Sequence, residues 1–457
     1  MMANRRDFLA ALTAGAFSGI ALAACAPARR RAADDKVRGY GPLRSDPKRL
    51  LDLPEGFSYR AISHLDERMS DGLPVPDRAD GMGAFALDAR RMILVRNHEI
   101  GARHHRDGPF RHATPASVLA YDHDDRGRPL PGGTTTILYD YVSHRVERQF
   151  LSLVGTIRNC AGGTTPWGTW LSCEEDVTRA GNRVQRDHGW VFEVPANAAA
   201  PVAPIPLKAM GRFNHEAAAV DPGTGVVYLT EDRDDSLFYR FLPNSRGELG
   251  KGGRLQALAL AGTDEPADSR NWKRLRWPLQ HRFNVRWLDL EDVESPGDDL
   301  RLQGHAKGAA LFARGEGVHF GNGELYFCCT SGGAVKHGQI MRYRPSPFEG
   351  SVLERTAAGT IEVFVESTSP ALLDFGDNLT VAPNGHLIVC EDQYGFRDRN
   401  HLRGVTPSGM LYDLAFLRVQ TELAGACFSP DGRTLFVNVY SPTRTLAIQG
   451  PWDRFRF

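Results

Sequence analysis

The residues best suited to chemistry in this 457-residue chain are acidic side chains that recur at one place in a repeated unit. Each unit is a small turn followed by a short hydrophobic strand, and four of the six strands end in carboxylates. Carboxylates are hard oxygen ligands, so several of them gathered in one place would suit divalent cations such as Ca²⁺. The six copies are AFALDARRMILVRNHE from Ala84, TPWGTWLSCEE from Thr165, DPGTGVVYLTED from Asp221, GNGELYFCCT from Gly321, APNGHLIVCED from Ala382 and SPDGRTLFVNVY from Ser429.

Repetition of strand units that cannot bury their own faces is typical of β-propeller blades. A second signature precedes the repeated strands at a nearly constant distance. Glu316 precedes Cys329, and Gly425 precedes Asn438, by the same interval of 13 residues. This spacing predicts hairpins whose two ends lie on one rim of the ring. We therefore expect an all-β, six-bladed β-propeller with loop and short helical insertions on the rim, the largest between residues 264 and 301. The segments GFSYRAIS from Gly56 and TLAIQGPW from Thr445 would complete one blade together.

Inner strands of such a ring point their ends at a common axis, so the acidic residues should meet there. Gathered carboxylates repel one another and raise each other's pKa unless cations lie among them. The sequence thus predicts a polynuclear metal site at the axis, in which each acidic pair supplies one ligand and one supporting residue. The acidic set is Glu99, Glu174, Glu175, Glu216, Glu231, Asp232, Glu316, Asp374, Asp377, Glu391 and Asp392.

Two residues of this rim differ chemically from the acids. Cys160, in the run Arg158 to Gly163, would favour a softer or redox-active ion such as iron if its thiolate faces the cluster. The alternative is a buried thiol that supports a tight Gly-Gly turn. Arg314 offers a planar fork to a phosphate or carboxylate. Its alternative is a surface arginine at the end of a short helix, AKGAALFARG.

The composition excludes several classes of function. The 55 basic and 55 acidic residues balance, so the chain has no broad positive field for nucleic acid. It contains no Gly-x-Ser-x-Gly elbow, phosphate loop or dinucleotide fingerprint. A reaction catalysed by this chain would therefore depend on metals.

The N-terminus predicts export. Residues 4–9, NRRDFL, match a twin-arginine signal and are followed by an apolar run too short to span a membrane. We divide the chain into a signal peptide (1–24), a flexible tether (25–50) and a catalytic propeller domain (51–457). The segment Leu22 to Cys25 fits a lipoprotein box, which leaves open lipidation of Cys25 or ordinary signal cleavage. We expect a periplasmic protein or a membrane-anchored lipoprotein that the twin-arginine machinery exports.

These motifs together resemble the bacterial PhoX alkaline phosphatases, the calcium- and iron-dependent propeller phosphomonoesterases. The resemblance runs from about Leu53 to Phe457. It rests on NHE at Asn97, NCAGG at Asn159, TPWGTWLSCEE at Thr165, FNHEAAAVDP at Phe213, FARGEG at Phe312, DNLTVAPNGHLIVCED at Asp377 and FSPDGRTLFVN at Phe428.

The resemblance implies an alkaline phosphatase that releases phosphate from small organic phosphate esters, with a metal-bridged oxygen as the nucleophile. It implies that Cys160 and Glu216 bind Fe³⁺, and that Glu174, Glu216, Glu316 and neighbouring acids hold Ca²⁺. The expected metal ligands are Cys160, Glu99, Glu174, Glu216, Glu231, Glu316, Asp377 and Glu391. We expect Arg314 and Asn159 to contact the substrate, and Cys160, Glu216, Glu316 and Arg314 to serve catalysis. We also expect a monomer.

Two other functions stay open at this point. A calcium-dependent lactonase or esterase propeller would need carboxylate and amide ligands but no thiolate. A propeller without catalytic activity would use its metals for stability alone.

Overall fold

Alternating hydrophobic segments fold into short antiparallel strands throughout this computed structural model, which describes residues 36–112, 117–181, 183–393 and 400–455. The predicted signal peptide and Cys25 lie outside the described residues. Helices are few in the described part: one α-helix, α1 (Leu300–Ala306), and three 3₁₀ helices (Lys208–Met210, Leu249–Lys251 and Val352–Thr356). Within these residues, no helix has the length and apolar character needed to cross a membrane.

The strands follow one another along the whole described chain. The first nine are β1 (Leu43–Arg44), β2 (Leu51–Pro54), β3 (Ser58–His64), β4 (Ala79–Ala86), β5 (Arg91–His98), β6 (Gly132–Asp140), β7 (Arg145–Thr156), β8 (Asn159–Thr164) and β9 (Thr169–Glu174). The next nine are β10 (Val191–Pro195), β11 (His215–Val220), β12 (Val227–Glu231), β13 (Tyr239–Pro243), β14 (Gly253–Leu260), β15 (Phe283–Asp289), β16 (Gly315–Gly321), β17 (Glu324–Cys329) and β18 (Gln339–Arg344). The last eight are β19 (Thr360–Glu366), β20 (Gly376–Val381), β21 (Leu387–Glu391), β22 (His401–Val405), β23 (Leu411–Leu417), β24 (Leu423–Phe428), β25 (Thr434–Val439) and β26 (Arg444–Gln449).

Hydrogen bonds join the described strands into five antiparallel sheets. Their orders are β4-β5-β6-β7, β10-β9-β8, β11-β12-β13-β14-β15-β19-β18-β17-β16, β1-β2-β23-β22-β21-β20 and β24-β25-β26-β3. The nine-stranded sheet arises because β15, in the predicted insertion, pairs with β19 and joins two four-stranded units. The prediction of an all-β, propeller-like fold is confirmed, although the sheets do not separate into six.

The two ends of the domain meet in one sheet, as the sequence predicts. β3 pairs with β26 from Ser58 opposite Gln449 to His64 opposite Arg444. Residues 36–50, assigned above to the tether, also contact the domain. Lys36 forms an ion pair with Asp413 at 2.6 Å, and β1 pairs with β2 at the edge of the β20–β23 unit.

The first strand of each repeated unit lies innermost. β4, β8, β11, β16, β20 and β24 contact one another in this order, and β24 contacts β4. Small residues permit this close approach: a Cβ atom on Gly81 would lie 2.5 Å from the Cα of Ala161. Apolar side chains fill the space between neighbouring units, as where Phe238 stacks on Phe327 with ring centroids 4.2 Å apart. Burial of one such ring contributes roughly 2 kcal/mol.

Every inner strand carries a β-bulge at the same place in its repeat. Two residues of the inner strand oppose one residue of its partner, which re-aims the first bulged side chain. The bulged pairs are Asp80-Gly81 in β4, Cys160-Ala161 in β8, Glu216-Ala217 in β11, Glu316-Gly317 in β16, Asp377-Asn378 in β20 and Gly425-Ala426 in β24. Five of the six first residues are acidic or carry a thiol, and the sixth is glycine.

Candidate metal centre

Nine residues at the inner ends of the strands form one continuous cluster, called the axial cluster below. It consists of four overlapping groups of three residues, and within each group the three ligand atoms lie within 4.8 Å of one another. Cys160, Glu216 and Asp377 each belong to two groups and so join the four together. The groups are Asp80, Glu99 and Cys160; Cys160, Glu175 and Glu216; Glu216, Glu316 and Asp377; and Asp377, Asp392 and Glu422.

Two structural sources supply these side chains. The bulges of the inner strands provide Asp80, Cys160, Glu216, Glu316 and Asp377. The other four lie in the chain next to the strands: three directly follow the second strand of a hairpin, and one directly precedes β24. They are Glu99, Glu175, Asp392 and Glu422. The cluster thus depends on the repeated bulge together with the loops of the same rim.

The bulge in β24 contributes no side chain because its first residue is Gly425. This residue has a φ of +62°, and a Cβ atom there would lie 2.3 Å from the carbonyl oxygen of Asp80. Glu422, three residues earlier, provides a carboxylate next to Asp377 and Asp392 instead. The ring of ligands therefore continues past the position where no side chain fits.

Glu216 shows most directly that the cluster suits metal ions. Its side chain is fully buried, and neither carboxylate oxygen has a hydrogen-bond partner within the protein. A buried polar group without a partner is costly unless another ligand satisfies it. Asp80 Oδ1 is also buried without a partner. Eight carboxylates with one thiol form a donor set that hard cations and one thiophilic ion could share.

The pKa shifts of the cluster also indicate a site for cations. Burial, followed by the charges of Glu316 and Asp377, raises the pKa of Glu216 well above its usual range. Burial and the charge of Asp392 raise the pKa of Asp377 to about 8. Burial and the charge of Asp80 raise the pKa of the Cys160 thiol, whose Sγ lies 3.6 Å from Asp80 Oδ2. Bound cations would favour the ionised forms of all these groups.

Arg158 and Arg314 border the axial cluster in equivalent positions. Arg158 and Arg314 each lie two residues before a bulged ligand, with φ values of +43° and +52°. Arg158 Nη2 lies 2.7 Å from Glu99 Oε1 and also contacts Glu175. Arg314 donates to Asp232 through Nε at 2.6 Å and Nη2 at 3.0 Å, and its Nη2 lies 3.0 Å from Glu316. Each guanidinium is partly exposed, so each could also bind an anion.

The structure does not bring all the predicted acids into the axial cluster. Glu174 instead accepts hydrogen bonds from the amides of Ile157 and Gly189, both at 3.0 Å, and contacts His188 at 2.7 Å. Glu231 accepts a hydrogen bond from Tyr239 at 2.6 Å. These carboxylates contact groups in or beside their own sheets, and the acids that follow them, Glu175 and Asp232, face the opposite side because side chains alternate along a strand.

The same holds for three further predicted residues. Glu391 binds the Asp374 and His401 amides at 3.0 Å each and Arg403 Nε at 2.6 Å. Asp374 contacts His337 Nδ1 at 2.7 Å. The amide of Asn159 accepts from Thr156 at 2.6 Å and donates to Ser172 at 2.9 Å inside the sheet.

The segment around Arg314 differs from the expected helix. Helix α1 ends at Ala306, and the following residues up to Arg314 form turns and bridges. The alternative interpretation, a surface arginine at the end of a helix over AKGAALFARG, is therefore wrong. Arg314 is held by its ion pairs with Asp232 and Glu316 rather than by a helix terminus.

Sequence reasoning missed Asp80, Arg158 and Glu422. A short pattern could have revealed the first two: an arginine, one residue, an acid or cysteine, then a small residue. It occurs as Arg78-Ala79-Asp80-Gly81, Arg158-Asn159-Cys160-Ala161 and Arg314-Gly315-Glu316-Gly317. Glu422 has no counterpart in the repeat, so no sequence signal marks it.

Fold and site together define a propeller-like protein with a buried centre that could bind several metal ions. The sequence pattern of the alkaline phosphatase PhoX family matches residues 38–139 and 138–443. The chain belongs to this family, which confirms the resemblance inferred from its motifs and makes the protein a phosphoric monoester hydrolase.

One solved structure shares this fold. PhoX of Pseudomonas fluorescens, solved with the transition-state analogue vanadate, aligns with a TM-score of 0.66 and 18% identity, covering 91% of this chain and 97% of that one. A gluconolactonase of Xanthomonas campestris aligns with a TM-score of 0.39 and 12% identity, covering 91% of this chain and 100% of that one. A search of curated protein sequences found no match.

Proposed function

We propose that the axial cluster is the catalytic centre of this phosphatase and that it holds Ca²⁺ and Fe³⁺. The observation that carries the proposal is Glu216, a fully buried carboxylate with two unpartnered oxygens at the junction of two ligand groups. A side chain in this position is explained by cations on both sides of it.

The donor types suggest how the ions are divided. Cys160 and Glu216 share a group with Glu175, and the sulfur ligand favours iron there. The groups built on Asp377 contain only carboxylates, which favours calcium. When bound, such ions neutralise a phosphate ester and activate the attacking water.

Arg158 and Arg314 are proposed to bind the phosphate. Both guanidinium groups border the cluster from its open rim, and a guanidinium fork matches the geometry of phosphate oxygens. The vanadate complex of the Pseudomonas fluorescens protein supports a phosphoryl site in this fold. Asp232 and Glu316 fix the orientation of the Arg314 side chain before any substrate arrives.

The remaining features are proposed from the sequence. We assign six blades by counting the six inner strands, treating the nine-stranded sheet as two blades joined by β15. The twin-arginine motif supports export to the periplasm, with a lipid anchor at Cys25 if the lipoprotein box is used. We also propose that the enzyme acts as a monomer.

Elemental analysis combined with an activity assay tests the proposal. The full chain, expressed through its own export signal, should contain calcium and iron and should release phosphate from p-nitrophenyl phosphate until a calcium chelator is added. Calcium without iron, with hydrolysis of lactones but not of phosphate esters, would favour the lactonase alternative. Bound metal without hydrolysis of either class would leave metals with a structural role only.

A further inference from the structure

A large cavity opens beside the axial cluster. Its volume is about 550 Å³, which is in the range of small-molecule sites. Glu99, a member of the axial cluster, lines it together with Arg158. A substrate whose phosphate reaches the cluster would therefore extend its leaving group into this cavity.

The charge of the cavity is predominantly positive. Arg78, Arg103, Arg158 and Arg183 line it, while its acidic lining residues are Glu99 and Asp176. Glu99 is already engaged, because it pairs with Arg158 at 2.7 Å and accepts a hydrogen bond from Tyr440 at 2.5 Å.

The arginines differ in whether their charge is compensated. Arg78 pairs with Asp107 at 3.0 Å and Arg158 with Glu99. Arg103 and Arg183 have no carboxylate within ion-pair distance among the described residues. His104 lies next to Arg103 in the lining and adds a group that can donate hydrogen bonds. An anion entering the cavity would thus meet two guanidinium groups that are not already paired.

We propose that this cavity binds a second anionic group on the leaving side of the substrate, so that the enzyme prefers organic phosphates with a second phosphate or a carboxylate. This inference rests on the proposed catalytic role of the axial cluster. Arg103 and Arg183 bind the second anion, while the cluster binds the phosphate that is removed. Simple esters such as alkyl phosphates fill only the first of these two positions.

Three substrates of one carbon skeleton test the inference: propyl phosphate, 3-phosphonooxypropanoate and propane-1,3-diyl bisphosphate. With the metal-loaded full chain, we expect kcat/KM for the bisphosphate to exceed that for propyl phosphate at least tenfold. The rate for the carboxylate substrate then shows whether the cavity accepts anions in general or only a phosphate. In the double variant Arg103→Gln/Arg183→Gln, the ratio of bisphosphate to propyl phosphate should fall close to the statistical value for a substrate with two equivalent phosphates. Arg433→Gln, an exposed arginine in the β24–β25 turn at the opposite end of its hairpin, should leave the ratio unchanged.

The outcomes separate this inference from the proposed function. Hydrolysis of propyl phosphate with no preference for either anionic substrate would overturn the inference and leave the phosphatase assignment intact. The same holds if the double variant keeps the wild-type ratio. Failure to hydrolyse any of the three substrates would overturn both.

Discussion

Asn97 in β5 donates hydrogen bonds from its side-chain amide to the carbonyl oxygen of Cys160 at 3.1 Å and to that of Ala161 at 2.7 Å. Its own oxygen accepts from Trp170 at 2.8 Å and from Ser172 at 2.9 Å. A fully buried amide of one sheet thus fixes the bulge that aims the only thiol of the axial cluster in the next sheet.

Replacement of Asn97 should therefore disturb the cluster without touching a ligand. Asn97→Asp keeps the acceptor but loses the donor, which leaves two buried carbonyl groups unsatisfied. We expect roughly 2–6 kcal/mol lower unfolding free energy and reduced iron content, from the cost of about 1–3 kcal/mol for each of the two unsatisfied buried groups. Chemical denaturation and elemental analysis measure both. Asn244→Asp, at an exposed turn, is the control, and wild-type iron content in Asn97→Asp would contradict the role given to this amide.

Gly425 should tolerate no side chain. Its positive φ alone costs about 1–2 kcal/mol for alanine, and the added Cβ would lie 2.3 Å from the Asp80 carbonyl oxygen. We expect Gly425→Ala to destabilise the protein by more than this and to lower phosphatase activity through displacement of Asp80. Gly262→Ala is a matched control, because Gly262 has a φ of +80° but open space around its Cβ position. Equal losses in the two variants would show that backbone strain alone accounts for the effect.

His188 should make stability depend on pH. Burial would lower its pKa, but Glu174 at 2.7 Å and Asp122 at 3.2 Å raise the pKa to about 9. A pKa raised in the folded state gives stability that is present below about pH 6.5 and lost as pH rises towards 9, on the order of 3 kcal/mol. Unfolding free energies measured from pH 6 to 9.5 should thus fall more steeply for the wild type than for His188→Gln. Parallel pH profiles would contradict a charged His188.

Much of the fold follows from the sequence, whereas the exact ligands do not. The repeated hairpins and the pairing of the first and last segments of the domain can be predicted from the sequence because they depend on hydrophobic spacing. The bulges are only partly visible: three of the six carry the pattern that begins with Arg78, Arg158 or Arg314, whereas the two-for-one register itself depends on hydrogen bonding. Glu174 and Glu175 illustrate this: the sequence shows two adjacent acids but does not indicate that Glu175 faces the axial cluster while Glu174 bonds within its own sheet.

Arg314 should require its planar fork rather than its charge alone. Lysine keeps the charge but cannot make the two parallel bonds to Asp232 or bind phosphate oxygens in pairs. We expect Arg314→Lys to lower kcat/KM for propyl phosphate roughly 30- to 100-fold, the equivalent of about 2–3 kcal/mol. Steady-state kinetics measure this, with Arg433→Lys as the control. A loss below threefold would remove Arg314 from phosphate binding.

Comparison of two buried glutamates in one hairpin tests the central claim most directly. Glu216 belongs to the axial cluster, and Glu231, at the end of the partner strand, lies outside it. Metal content and phosphatase activity should be measured together for Glu216→Gln and Glu231→Gln. We predict that Glu216→Gln loses bound metal and nearly all activity, whereas Glu231→Gln keeps both, since glutamine can still accept the Tyr239 hydrogen bond. Wild-type metal content and activity in a folded Glu216→Gln protein would contradict a catalytic metal centre at the axis.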